Sequence, residues 1–372
     1  MKPFLLFTLT LLIVLVTAVT LAHQGNEHAV QGPHGFENRY LHSSSRGSFL
    51  QWQLERLWDG LPHPPHAALA TVPPDLTTLQ HPGNRVTVTW IGHATVLLQL
   101  DGLNVLTDPM FSDYASPLPP FGPKRHQPPG VSLAQLPHVD VVLISHNHYD
   151  HMDLDSLRAL ARQNGGPPLF LVPLGNAAWF RDNLPELAQA GEQRRVRAMD
   201  WGDDVHVPAP HGDLVFHFEA VQHWSARTLW DRNETLWGSW VLIHPAFRFW
   251  FSGDLGYSPD TADIGRKYGG FDLAAIAIGA YAPRWFMAPY HLDPAEAVRV
   301  MQEVGARQAL AIHWGTFQLS DEPLDQPPID LAQALKEQQV APDRFLVFRH
   351  GETRTVGVVD KSPPAPSAAL EN

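Results

Sequence analysis

Cysteine is absent from the 372 residues. That excludes disulfides, thiolate metal ligands and a lipid-modified cysteine as an anchor, and it is compatible with an oxidising compartment. Basic residues are scarce as well: 26 Lys and Arg stand against 38 Asp and Glu, a formal net charge of −12. So acidic a chain has no long-range attraction for a phosphate backbone, and no nucleic acid is expected as a partner. No internal repeat of short period is visible, which removes repeat arrays.

What is present begins with an apolar run, Phe4 to Ala22, between Met1-Lys2-Pro3 and His23-Gln24-Gly25. Thr20-Leu21-Ala22 is an acceptable cleavage site. The run also approaches the ~20 residues that span a bilayer, so residues 1–22 are read as a signal peptide or a retained membrane anchor. The expected localisation is therefore exported: periplasmic, membrane-anchored or membrane-associated. Residues 23–84 are rich in His, Pro, Ser and Gly and read as an N-terminal extension, with His23, His28 and His34 in a solvated linker. Within it Leu50, Leu54, Leu57, Trp58 and Leu61 fall at helical spacing, which predicts an amphipathic helix over Ser48–Gly60. Its apolar face is expected to dock on the main domain, a membrane surface being the other place that Trp52 and Trp58 suit.

Residues 85–360 read as one large domain, ample for a sizeable core, followed by a disordered tail over 361–372. Val86, Val88 and Trp90 alternate with threonines, and Thr95–Leu100 meets Leu103–Leu106 across the turn pair Asp101-Gly102, so a hairpin opens the domain. Asp108 to Gly130 is a proline-rich loop. Further strands are predicted at Leu169–Val172, Leu214–Ala220, Trp240–Phe251, Leu273–Ile278, Ala309–His313 and Phe345–Arg349. Helices are predicted at Asp153–Gln163, Asp293–Val304 and Ile329–Gln338, an interleaving that implies a layered α/β domain.

The apolar run Val139–Ile144 leads straight into Ser145-His146-Asn147-His148-Tyr149-Asp150-His151. Imidazoles and a carboxylate packed this closely at a strand end are metal ligands by type and spacing; the set suits Zn²⁺ best, with Fe, Mn or Ni as other occupants. Four such groups cannot all reach one ion from so short a loop, so two adjacent ions are predicted. Three later segments each place one ligand-type residue just after an apolar run: Val221-Gln222-His223-Trp224, Phe251-Ser252-Gly253-Asp254 and Ala311-Ile312-His313-Trp314-Gly315. Ligands gathered from strand ends at one edge are the order expected of an α/β, αββα four-layer sandwich of the metallo-β-lactamase type.

Seven further stretches carry a closer resemblance: Thr89-Trp90-Ile91-Gly92-His93-Ala94-Thr95, Leu106-Thr107-Asp108-Pro109, Gly122-Pro123-Lys124-Arg125, Gln222-His223-Trp224-Ser225, Ser252-Gly253-Asp254, the segment Gly279 to Met287, and Ala311 to Phe317. With the histidine loop they resemble, in order from about Val86 to Gly351, the N-acylphosphatidylethanolamine-hydrolysing phospholipase D family of the metallo-β-lactamase superfamily. The resemblance implies that His146, His148 and His223 hold one zinc, that Asp150, His151 and His313 hold the other, and that Asp254 bridges them. His291, in Tyr290-His291-Leu292-Asp293-Pro294, is similar to the family's non-ligand active-site histidine. The chain departs from the mammalian pattern at Pro119-Pro120 and in its N-terminal apolar run, which bears on lipid specificity and not on the chemistry.

Two zinc ions roughly 3.5–4 Å apart can share a water and lower its pKa towards about 7. The expected nucleophile is that shared hydroxide, so no serine or cysteine is needed. Asp254 and Asp150 serve as ligands and catalytic residues, His291 steadies the phosphoryl oxygens, and His93 supports the site from behind. The expected reaction is cleavage of N-acylethanolamine phospholipids to phosphatidate and N-acylethanolamine at a membrane surface. The alternatives are a lactonase or phosphodiesterase acting on a small soluble phosphorylated substrate, and, outside catalysis, a membrane-associated binding or regulatory protein. The oligomeric state is left open, a homodimer included.

Overall fold

The computed structural model describes residues 27–40, 48–60, 69–189 and 193–359. The expected signal or anchor segment, His23, Leu61 and the expected tail lie outside them. A small hairpin comes first, β1 (Gln31–Gly32) and β2 (Gly35–Phe36), followed by helices α1 (Phe49–Asp59) and α2 (Leu76–Gln80). Strands β3 (Arg85–Gly92), β4 (Thr95–Leu100), β5 (Leu103–Thr107), β6 (Val141–Leu143), β7 (Leu169–Pro173) and β8 (Val196–Met199) build one sheet. Helix α3 (Leu154–Ala161) connects β6 to β7, and α4 (Asn176–Asn183) and α5 (Pro185–Gln189) connect β7 to β8.

The second sheet holds β9 (Asp204–Val207), β10 (Leu214–Glu219), β11 (Ser239–His244), β12 (Phe247–Phe251), β13 (Phe271–Ala277), β14 (Ala306–Ile312) and β15 (Phe345–Leu346). Its crossovers carry α6 (Asp260–Tyr268), α7 (Arg284–Met287), α8 (Pro294–Glu303) and α9 (Gln326–Glu337), and β16 (Thr353–Val358) returns to pair with β3. Each sheet has seven strands, in the orders β16-β3-β4-β5-β6-β7-β8 and β15-β14-β13-β12-β11-β10-β9. Both begin as antiparallel strands and finish as parallel strands, whose crossovers need room for helices.

Period-two alternation explains why the strands are buried on both faces. In β4, Val96, Leu98 and Leu100 enter the core between the sheets, while Leu97 joins the layer under α3, α4 and α5. In β6, Val141 and Leu143 face the other sheet and Val142 faces the helices. Trp90, Trp237 and Trp240 belong to the core between the sheets, and Trp250, on the alternate face of its strand, packs towards the helix layer; each fully buried large side chain stabilises the fold by about 2–3 kcal/mol. The architecture is the expected αββα four-layer sandwich.

Some elements differ from the sequence reading. The single strand expected over Trp240–Phe251 is two, because His244-Pro245-Ala246 turns the chain and proline has no N–H to give a ladder. The expected strand Phe345–Arg349 pairs only over Phe345–Leu346. Strand β9 carries no clear signal in the sequence, since its residues are half-buried or exposed and mix Asp204 and His206 with two valines.

The extension is not a linker over its described part. Phe36 joins the main hydrophobic core, the Ala29 N–H donates to Asp200 at 3.0 Å, and the His28 ring lies 3.5 Å from that carboxylate. Helix α1 also docks by a face other than the one expected. Ser48 caps it by accepting the Gln51 N–H, and only Trp52 is buried, stacked on Phe286 at 5.1 Å and donating to Asp321 at 2.8 Å. Leu50, Leu54, Leu57 and Trp58 point outward, between 57% and 91% exposed. Trp52 and Arg56 share the docked side, Arg56 reaching Asp321 at 3.0 Å. Among the described residues no helix is long and apolar enough to cross a membrane.

Candidate metal centre

The ligand-type residues converge at one edge of the sandwich because each lies in the loop that leaves the end of a strand, one to eight residues beyond it. His146, His148, Asp150 and His151 follow β6, His223 follows β10, Asp254 follows β12, and His313 is the residue after β14. Three residues at this edge, His93, Asp108 and His313, take left-handed backbone conformations with φ of 53°, 32° and 61°. Such conformations cost about 1–3 kcal/mol each and persist where the surroundings over-determine them. Gly253 is required beside them: its φ is 57° and a Cβ there would come within 2.6 Å of the Ser145 Cβ.

Asp254 is the hub. Its Oδ2 lies 3.1 Å from Nε2 of both His151 and His313, 4.0 Å from Nε2 of His146 and His223, and 3.8 Å from Nδ1 of His291. Two donor groups flank it, His146 with His148 and His223 on one side and Asp150 with His151 and His313 on the other, His93 joining the second. The structure thus brings together all seven expected ligands and places His291 against Asp254. His93 stands behind Asp150, its Nε2 2.9 Å from Oδ2, and because a carboxylate only accepts, that nitrogen carries the proton.

Hydrogen bonds aim the rings inward. The Nδ1–H of His151 donates to Asp108 at 2.7 Å, and that of His223 donates to the Tyr290 carbonyl at 2.9 Å. Ser145 Oγ donates to Asp108 at 2.6 Å and so accepts from His146 Nδ1 at 2.9 Å. With Nδ1 engaged in this way, each of these three rings turns its Nε2 to the centre, and in His146 and His223 that nitrogen is unprotonated. The side chains supply no hydrogen-bond partner there for Nε2 of His151, His223 or His313, nor for Oδ1 of Asp254, although all are buried.

Charge follows the same division. Burial opposes charge on His313, yet Asp254 and then Asp150 push it up to about 9. Burial likewise opposes charge on His151, and Asp254, Asp150 and Asp108 outweigh it and hold the ring well above its usual value. Burial pushes His148 and His291 down to about 4, His93 to about 3, and His146 and His223 well below their usual value. Burial also raises the Asp254 carboxyl, but His151 and His313 hold it well below the usual carboxylate range. Asp150 and Asp254 thus draw positive charge onto His151 and His313, while the other imidazoles of the centre stay neutral. A pair of divalent cations fits both conditions.

Sequence reading left some residues without a role. Asp108 ends the run Leu103–Thr107 as the ligands end theirs, a signal that could have found it; it carries the bonds to His151 and Ser145. Arg227 has no such signal. Its Nη1 donates to the carbonyls of Asn147 and Met152, both at 2.8 Å, and its guanidinium lies 4.0 Å over Tyr149 and 4.8 Å over Trp179. One cation therefore clamps both ends of the histidine loop, a task for a planar fork of donors. Asn38, from the extension, exchanges two hydrogen bonds with the His223 backbone at 3.0 Å. The aromatic cluster expected beside His291 divides: Tyr281 and Met287 are buried, whereas Phe286 continues a row from Trp52 through Tyr290 and Trp224 to His148.

A family model described as "Beta-lactamase superfamily domain" matches residues 103–314, more than half of the chain. The chain belongs to this superfamily. Among relatives, this superfamily member is 41% identical over 261 residues to an uncharacterised protein of Mycobacterium tuberculosis, covering 69% of this chain and 66% of that one. It is 40% identical over 238 residues to the N-acyl-phosphatidylethanolamine-hydrolyzing phospholipase D 1 of Caenorhabditis elegans, covering 64% of this chain and 66% of the relative. The chain thus spans about two thirds of the length of these relatives. In fold it is similar to a metallo hydrolase from Ignicoccus hospitalis, with a TM-score of 0.52, 19% identity, and coverage of 73% of this chain and 97% of that one.

Proposed function

We propose that the chain is a metal-dependent phosphodiesterase of the phospholipase D type that uses two Zn²⁺ to cleave N-acylethanolamine phospholipids to phosphatidate and N-acylethanolamine. The observation that carries the reading is the carboxylate of Asp254, buried between two donor groups with a single oxygen facing both. The substrate class is supported by the name of the C. elegans relative. His146, His148 and His223 would hold one ion, Asp150, His151 and His313 the other, and Asp254 both. Such a pair of cations supplies Lewis acidity towards phosphoryl oxygens and a water of lowered pKa.

The remaining steps belong to side chains of this protein. Asp108 and His93 hold His151 and Asp150 in place from behind, so the reacting groups need no reorganisation. His291 Nδ1 is buried beside Asp254 without a hydrogen-bond partner among the described residues, and the ring faces the space where a phosphoryl oxygen would gain charge. The row Trp52, Phe286, Tyr290 and Trp224 leads outward from His148 and offers an apolar wall to an acyl chain.

Protein purified without chelators is expected to carry two zinc ions per chain by elemental analysis and to release N-acylethanolamine from vesicle-borne substrate. One ion or none, or opening of lactones with no phospholipid cleaved, would overturn the reading. A membrane surface as the working site is supported by the outward face of α1, which sits at the rim through Trp52. Replacing Leu50 and Leu54 together by Ala is therefore expected to lower turnover of vesicle-borne lipid by about tenfold, the equivalent of losing part of two apolar insertions. Turnover of a small chromogenic phosphodiester should fall much less; an equal fall on both substrates would remove the membrane from the proposal.

A further inference from the structure

Beside the rim, a groove of about 790 Å³ runs between the β1–β2 hairpin and the segment Trp230–Glu234. It is held open by a built frame. The Phe36 N–H donates to the Asn233 carbonyl at 2.8 Å, and the Asn233 side chain returns a bond to the Phe36 carbonyl at 3.2 Å. Gly35, with φ of 102°, lies so close that a Cβ would fall 2.3 Å from the same Asn233 oxygen. The neighbouring turn is equally fixed: Asp231 accepts the N–H groups of Arg227 and Thr228, and Trp230 N–H donates to Thr228 Oγ1 at 3.2 Å.

On this frame stand three side chains of complementary character. Leu229 and Trp230 are 89% and 85% exposed, adjacent, and held outward. Arg232 lines the groove with its guanidinium 4.2 Å over Trp224 and 5.9 Å over Tyr290. Among the described residues it makes no ion pair or hydrogen bond, so its fork of donors is free although its plane is already ordered. Trp224 in turn packs on His148 at 4.4 Å, which sets the groove one ring away from the metal centre. An apolar tip next to a free, pre-oriented guanidinium matches the boundary of a bilayer, where acyl chains lie just below phosphates.

We propose that the Thr228–Glu234 turn and its groove form a docking site for anionic phospholipid in a bilayer, Arg232 pairing with a headgroup phosphate while Leu229 and Trp230 enter the acyl boundary. The site deepens the phospholipase reading and rests on it for its purpose, but its occupant is a lipid beside the substrate and not the one being cleaved. The net charge of −12 makes a general electrostatic attraction to anionic membranes unfavourable, so a preference for them requires a local cation such as this one.

The test is sedimentation of the metal-loaded full-length protein with vesicles of phosphatidylcholine, with and without phosphatidylglycerol. Wild type is expected to bind the mixed vesicles more tightly, and Arg232→Gln to lose about fivefold of that preference, the scale of one basic residue at a charged membrane surface. Arg232→Lys should restore most of it, whereas Trp230→Ser should weaken binding to both vesicle types. Retained preference in Arg232→Gln, or release of wild type from mixed vesicles by inorganic phosphate at constant ionic strength, would overturn the proposal, the latter marking a site for free phosphate. Because neither lipid is the proposed substrate, a protein that binds as expected yet cleaves no N-acylethanolamine phospholipid would refute the phospholipase reading and leave this one standing.

Discussion

Asp254→Asn is expected to leave the fold intact and to reduce phosphodiester turnover by about 10²–10³-fold or more, the scale set by removing one preorganised electrostatic partner. The carboxylate is buried and its Oδ2 faces ring nitrogens of His146, His151, His223, His291 and His313 within 4.0 Å. An amide has nearly the same shape, so the packing of Ser252, Gly253 and Leu255 should not change. It lacks the charge, however, and a neutral group is a poor bridge between two cations. Elemental analysis and steady-state assays on the same preparation, with far-UV circular dichroism as a check on folding, test the outcome together. Wild-type zinc content and rate in the variant would remove Asp254 from the bridging position.

Asp108→Asn is the second large effect, and it acts without touching the reacting groups. Asp108 is fully buried and spends both oxygens: Oδ2 accepts from His151 Nδ1 and Ser145 Oγ, and Oδ1 accepts from the Ser145 N–H at 2.7 Å. With an amide there, one of these donors faces an NH₂ group. If that donor is His151, its proton is driven to Nε2, the nitrogen that points at Asp254, and the ring can no longer ligate. Outer partners of this kind are worth about 10–100-fold in metal affinity. The buried polar mismatch should also cost about 1–3 kcal/mol of stability. Chelator competition measures the first and thermal unfolding of the metal-free protein the second. Affinity within about twofold of wild type would show that Asp108 does not orient His151.

Much of the centre was legible in the chain because strand ends and ligands coincide. A run such as Val139–Ile144 predicts a buried strand, and polar metal-binding residues immediately after it can only sit at the rim of a sheet. The same local logic applies to Gln222-His223, Gly253-Asp254 and His313, each of which follows a strand of the second sheet. It also holds for Asp108, which follows the strand Leu103–Thr107 and accepts the His151 Nδ1–H. What made the helix α1 misleading is equally physical. Periodicity identifies an apolar stripe but not what covers it, and the stacking of Trp52 on Phe286 with its bond to Asp321 turned the other side inward.

The sequence by itself determined the fold class and the strand-end set of metal-type donors, since alternation, turn chemistry and donor type are properties of neighbouring residues. Only the tertiary structure decided which groups share a space: Asp254 between the two donor groups, Arg227 across the histidine loop, Asn38 on the His223 backbone, and Arg232 on Trp224. Those pairings join residues far apart in the chain, and their energy comes from burial and hydrogen-bond geometry that exist only once both sheets have closed on a common core.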